Sequence, residues 1–232
     1  MPTSVAITVA ERLLYVIGVG VIVVYLVNQL RRPSRWLGRP FLFYMNLSHS
    51  SVTDWGLQHV HIEPGATILD VGCGGGRTVK KLAALAPSGK IYGIDYAAGS
   101  VAASRATNSK LIATGQVAIS QASVSQLPFP DDWVDLVTAV ETQYYWPDVV
   151  KDMKEIRRVL RPQGRLMVIA ETYRKGSFNS VDGLAMKLLK GQLLGVQEEK
   201  TLFANAGYEN IEVWEEPARG WMCVSGTKPL DA

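Results

Sequence analysis

The run Ile68-Leu69-Asp70-Val71-Gly72-Cys73-Gly74-Gly75-Gly76-Arg77 constrains this chain more than any other stretch. An apolar strand carries a carboxylate and gives way to four glycines within five positions. A helical pattern follows at once, Thr78-Val79-Lys80-Lys81-Leu82-Ala83-Ala84-Leu85. Such a unit brings bare backbone N–H groups and a helix N-terminus up to a ligand, because glycine has no Cβ to block the approach. In doubly wound α/β folds this first turn is where nucleotide-like ligands sit. The dinucleotide spacing is not met. In Gly72-x-Gly74-x-x-Arg77 an arginine stands where the third small residue belongs.

A second strand pattern, Lys90-Ile91-Tyr92-Gly93-Ile94-Asp95-Tyr96, lies one helix downstream. An acidic residue at the end of the second strand accepts bonds from both hydroxyls of a ribose. Asp95 is that residue, or else a strand-end turn residue, and Tyr96 beside it presents a ring to a flat base. The spacing Asp70-x-Gly72-x-Gly74-x-Gly76 resembles motif I of the class I S-adenosylmethionine-dependent methyltransferases. A carboxylate suits that cofactor's cationic end, and no pyrophosphate needs a helix terminus. The resemblance continues through Gln121–Val137, through Glu155–Ile169 with its Pro162-Gln163-Gly164 turn, and through Phe203–Tyr208, where Gly207 is a left-handed helix cap. Two short strands are expected after it, around Ile211–Trp214 and Trp221–Gly226, and the resemblance covers roughly residues 46–228.

The resemblance implies an α/β, Rossmann-like fold: a seven-stranded, mostly parallel sheet with an antiparallel C-terminal hairpin strand and helices on both faces. It implies S-adenosyl-L-methionine as cofactor, held by Asp70, Gly72, Cys73 and Gly74, with Asp95 on the ribose and Tyr96, Ala122 and Ser123 around the adenine. Family members often carry Asp where Ser123 stands, so this chain offers a weaker acceptor there.

Composition narrows the partners. The net charge is +3, with no basic tract interleaved with aromatics along the domain, which does not favour nucleic acid. Cys73 and Cys223, far apart in sequence, read as reduced thiols. The three histidines, His49, His59 and His61, lack accompanying cysteines or carboxylates at ligand spacing, and no metal site is expected.

The N-terminus carries a separate signal. Leu13–Leu30 reads LLYVIGVGVIVVYLVNQL, eighteen residues without a charge. As a helix it would span about 27 Å, close to a bilayer core of about 30 Å. No small-x-small cleavage site follows and no polar face interrupts the run, so a signal peptide and an interfacial helix fit less well. Arg31, Arg32, Arg35 and Arg39 follow the span, which orients the rest of the chain to the cytoplasm. The expected organisation is a transmembrane anchor in 1–32, a basic and aromatic linker in 33–45 and a catalytic domain in 46–232.

The acceptor belongs at the carboxyl ends of strands four and five. Candidates are Glu141 and Tyr144 after strand four, residues 171–173 after strand five, and the segment before motif I, where His49 is either a general base or a loop cap. Glu141 could hold the cofactor's methionine end, orient the acceptor or take its proton. A further helix over Ser177–Val196 is either a lid or plain packing. The expected activity is methyl transfer to a small lipophilic molecule: a lipid, a quinone-like compound or a hydrophobic thiol. A nicotinamide-dependent reductase would need a dinucleotide loop and a Tyr-x-x-x-Lys pair, which this sequence lacks. A non-catalytic scaffold of the same fold is the other alternative. Oligomeric state is not legible.

Overall fold

A computed structural model describes residues 50–174 and 192–230. The span 13–30, the linker 33–45, His49 and residues 177–191 of the expected lid lie outside the described residues. Seven strands form one sheet: β1 Thr67–Val71, β2 Lys90–Asp95, β3 Val117–Gln121, β4 Val134–Val140, β5 Leu160–Ala170, β6 Glu209–Glu216 and β7 Trp221–Thr227. Their spatial order is β3-β2-β1-β4-β5-β7-β6. The first five run parallel, and β7 lies antiparallel to both β5 and β6.

The sequence dictates this layering. β1 and β4 are nearly continuous apolar runs, as expected of parallel strands covered on both faces. One face carries α1 Ser50–Gly56, α2 Arg77–Leu85 and α3 Ala98–Thr107, with the short α4 Ser109–Ala113 beside them. The other carries α5 Val149–Val159 and α6 Val196–Asn205. In α5 the buried stripe is Val149, Met153, Ile156 and Val159, at helical spacing. Asp148 caps this helix by accepting from the Lys151 N–H at 3.1 Å. α6 stops where Gly207 adopts φ +84°, a conformation only glycine takes cheaply. α1 comes so close to the sheet that a Cβ on Gly56 would lie 2.5 Å from Ile169 Cδ1.

Three stretches differ from expectation. The Pro162-x-Gly164 turn is absorbed into a long β5. The Lys228 N–H donates to Gly164 O and the Gln163 N–H to Lys228 O, so pairing with the C-terminal segment begins before the apolar run does. β6 extends beyond Ile211–Trp214 because β7 pairs with it from Glu209 to Glu216. Residues 192–195 are not helical and lead directly into α6. Among the described residues no helix is long and apolar enough to cross a membrane, and no three potential ligands gather around a metal site.

Candidate active site

The strand order reverses between β1 and β4, and in open α/β sheets ligands bind outside the carboxyl ends of the strands at such a point. Four groups of residues meet at that end: the glycine loop, the β2 terminus, the β4 exit and the β5 exit.

The glycine loop is shaped by distinct demands at each position. Gly72, at φ +73°, is pressed against the β4 exit, where a Cβ would fall 2.2 Å from Thr142 Oγ1. Gly76, at φ +79°, is enclosed by Ser104 and Asn108. Gly74, at φ +49°, has open space where its Cβ would be, apart from one backbone oxygen at 4.0 Å. The first two glycines serve the fold, and Gly74 faces outward to where a ligand can lie against bare backbone. The N–H groups of Gly72 and Cys73 both donate to Ile94 O, at 2.8 and 2.9 Å, which fixes the turn against β2.

Two buried carboxylates flank this cradle. Asp95 Oδ2 accepts from the Gly74 N–H at 3.0 Å, and Oδ1 accepts from the Ala97 N–H at 2.8 Å. Burial raises its pKa, and these bonds pull it back down. Asp70 is only 2% exposed. Its Oδ1 accepts from the Thr138 hydroxyl at 2.7 Å. Burial, with Asp95 nearby, pushes Asp70 up to about 7. A cationic ligand placed here would relieve both desolvated carboxylates.

The remaining expected ligands fall around the same cradle. Tyr96 follows Asp95 and is 42% exposed, and its carbonyl accepts from Gln121 Nε2. The Ala122 N–H donates to Asp95 O at 3.1 Å, which brings the loop after β3 to the β2 terminus. The Ser123 hydroxyl accepts from the Ser125 N–H at 3.2 Å within its own turn. The Cys73 side chain points away into the core, with Sγ 3.6 Å from Ser104 Oγ, and burial holds its thiol well above the usual range. Cys73 is part of the cradle through its main chain, whose N–H donates to Ile94 O on β2 and whose C=O accepts from the Gly76 N–H within the turn.

At the β4 and β5 exits the backbone of Glu141 takes φ +56°, outside the range easy for a residue with a Cβ. Its carboxylate accepts from the Glu171 N–H and lies 3.3 Å from the Tyr144 hydroxyl. Tyr144 donates to Thr172 O at 3.0 Å, and burial beside Glu141 raises its phenol well above the ordinary value. The pair therefore ties the two strand exits together, with the phenol retained as a donor. Sequence reasoning missed a second tie. Gln143 Nε2 donates at 3.2 Å to Glu199 Oε2, a buried carboxyl on α6. Burial raises Glu199 to about 7. Its position between Glu198 and Lys200 on a largely polar helix gave no local signal. The Tyr173 hydroxyl donates to Glu215 Oε1 at 2.6 Å, linking the β5 exit to β6.

Residues 69–168 match the family described as methyltransferase domain, which runs here from β1 to β5 and takes in the whole cradle. Among curated proteins the chain is similar to a demethylmenaquinone methyltransferase of Symbiobacterium thermophilum, 33% identical over 47% of this chain and 44% of that one. It is also similar to a 2-phytyl-1,4-naphtoquinone methyltransferase of Trichormus variabilis, 28% identical over 65% of this chain and 71% of the relative. The chain spans about half the length of several curated relatives that it matches. Among solved structures, geranyl diphosphate C-methyltransferase from Streptomyces coelicolor, in complex with Mg2+, geranyl diphosphate and S-adenosyl-L-homocysteine, superposes with a TM-score of 0.69. It is 14% identical, over 77% of this chain and 80% of that one. That likeness is one of fold.

Proposed function

We infer that this chain, whose residues 69–168 match a methyltransferase domain, depends on S-adenosylmethionine and transfers a methyl group to a small lipophilic acceptor. The observation that carries the reading is the Gly74 cradle: open space over bare backbone, with the Asp95 carboxylate 3.0 Å from its N–H and Asp70 buried beside it. These residues fit the cofactor. Gly74 admits its close approach, Asp95 offers a charged acceptor for ribose hydroxyls, and Asp70 meets its cationic end. Tyr96, Ala122 and Ser123 would border its adenine. When bound, S-adenosylmethionine supplies an electrophilic methyl group on a sulfonium. The chain's own residues then align the acceptor and exclude water.

Glu141 and Tyr144 are proposed as orienting groups for the acceptor. Their bonds hold the β4 exit to the β5 exit, and Thr142 of the same exit packs against Gly72 of the glycine loop. His49 remains the proposed base for acceptors that must lose a proton. The acceptor class follows from the quinone methyltransferases among the relatives and from the span Leu13–Leu30, which is proposed to anchor the chain in a bilayer with the domain on the cytoplasmic side.

Calorimetric titration tests the cofactor: S-adenosylmethionine should bind and NAD should not. Formation of S-adenosylhomocysteine with quinols, lipids or hydrophobic thiols tests transfer. Binding without turnover on every acceptor would favour the scaffold reading. Glu141→Gln should lower turnover and leave cofactor affinity near wild type; a loss confined to affinity moves Glu141 to the methionine pocket. For the anchor, the full chain should stay with membranes through high salt and alkaline carbonate, since salt screens Arg–headgroup attraction but not buried apolar surface.

A further inference from the structure

Thr138 is fully buried in the centre of β4, within the run Val134-Asp135-Leu136-Val137-Thr138-Ala139-Val140. A strand covered on both faces normally carries only apolar residues at such a position. A buried hydroxyl without a partner costs free energy, so a Thr here must be satisfied. It is: Thr138 stands directly opposite Asp70 in the parallel β1–β4 ladder, and its hydroxyl donates to Asp70 Oδ1 at 2.7 Å. No other side-chain donor among the described residues reaches Asp70. The groups of opposite effect are also in view. Asp95 at the end of β2 and the Cys73 thiol in the glycine loop share the site, and the Asp95 charge opposes that of Asp70.

We propose that Thr138 is a positioning residue for cofactor binding: its hydroxyl fixes the orientation of the Asp70 carboxyl and favours its ionised form, with Oδ1 anchored to β4 and Oδ2 left for the cationic end of the cofactor. This rests on the function proposed above. The pairing answers a specific difficulty of the site, where two carboxylates lie buried near each other and no cation among the described residues bonds to either. Burial and the Asp95 charge both favour the neutral form of Asp70, which is the poorer partner for a cationic ligand. One hydrogen bond from an uncharged donor favours the carboxylate without competing with the ligand for charge.

Two variants and two readouts decide it. Thr138→Val keeps the shape and removes the donor, and Thr138→Ser keeps the donor. In the cofactor-free protein, the carboxyl carbon of Asp70 followed by NMR should titrate at higher pH in T138V than in wild type and near the wild-type position in T138S. S-adenosylmethionine affinity measured from about pH 5 to about pH 9 should fall roughly tenfold at neutral pH in T138V and recover on the alkaline side. In T138S it should follow the wild type. If T138V does not fold, T138A is read the same way. An Asp70 titration and an affinity profile unmoved in T138V overturn the inference, as does a T138S variant that behaves like T138V. If the wild type binds no S-adenosylmethionine at any pH, the methyltransferase reading fails and the cofactor half of this inference falls with it. The carboxyl titration still decides whether Thr138 controls Asp70.

Discussion

The Asp95 carboxylate accepts from Gly74 of the glycine loop and from Ala97 ahead of α3, so it is placed by the same backbone that shapes the cradle. Removing it strips two N–H groups of a charged acceptor, each such bond being worth about 1.5–3 kcal/mol before the desolvation of the carboxylate is offset. Asp95→Ala should therefore weaken S-adenosylmethionine binding, by calorimetry, and lower stability by about 2 kcal/mol in denaturant unfolding. Asp95→Asn should lose affinity but less stability. Asp70 and Glu199 add a pH signature. Both titrate near 7 in the folded protein, above the value of about 4 for an unfolded carboxyl. A raised acid is neutral in both states at low pH and must ionise in a buried place as pH rises. Its contribution is thus fully present below about pH 4 and lost as pH rises towards 7. The melting temperature of cofactor-free D70N or E199Q relative to wild type should rise across that window. A difference that stays flat with pH would mean the two carboxyls are not neutral in the fold.

At the scale of elements, the glycine loop separates fold from ligand. Gly72→Ala drives a methyl into Thr142 and should cost about 3 kcal/mol of stability. Gly74→Ala meets no side chain and should cost only about 1 kcal/mol, from its positive φ. Yet its methyl enters the space assigned to the cofactor, so binding should fall by at least about tenfold, or about 1.4 kcal/mol, in the same titration. Equal affinity in G74A and wild type would remove the cofactor from this loop. The contrast also marks where sequence reading succeeds. The loop, the Asp95 terminus and the Gly207 cap are local signals, each written within a few residues. The Thr138–Asp70 and Gln143–Glu199 pairs join residues 68 and 56 positions apart, so no window of sequence contains them. Ser123 was legible as a hydroxyl but not as one turned towards Ser125, because turn geometry and ligand geometry compete for the same short side chain. β6 was underestimated for a related reason: its length is set by β7, a partner that follows it in the chain.

Across the whole molecule, the parallel half of the sheet carries the cradle, and the antiparallel pair β7 and β6 extends it beyond β5. The far edge is guarded by charge, with Glu209, Glu212 and Glu215 exposed along β6, which disfavours pairing with another chain. Spatial order and chemical order part company here. β6 is made before β7 but touches the sheet only through it, and β5 has no neighbour on that side until residues 221–227 exist. During synthesis, then, an apolar strand edge and the buried face of α6 stay uncovered until the chain has passed Thr227. A nascent chain held short of that point is a sticky intermediate that needs a chaperone or the ribosome surface for cover. A chain stopped after Gly220 should collect in the insoluble fraction and be cut rapidly by added protease, while the intact chain resists. Timing, as much as stability, is thus written into the place of the last strand.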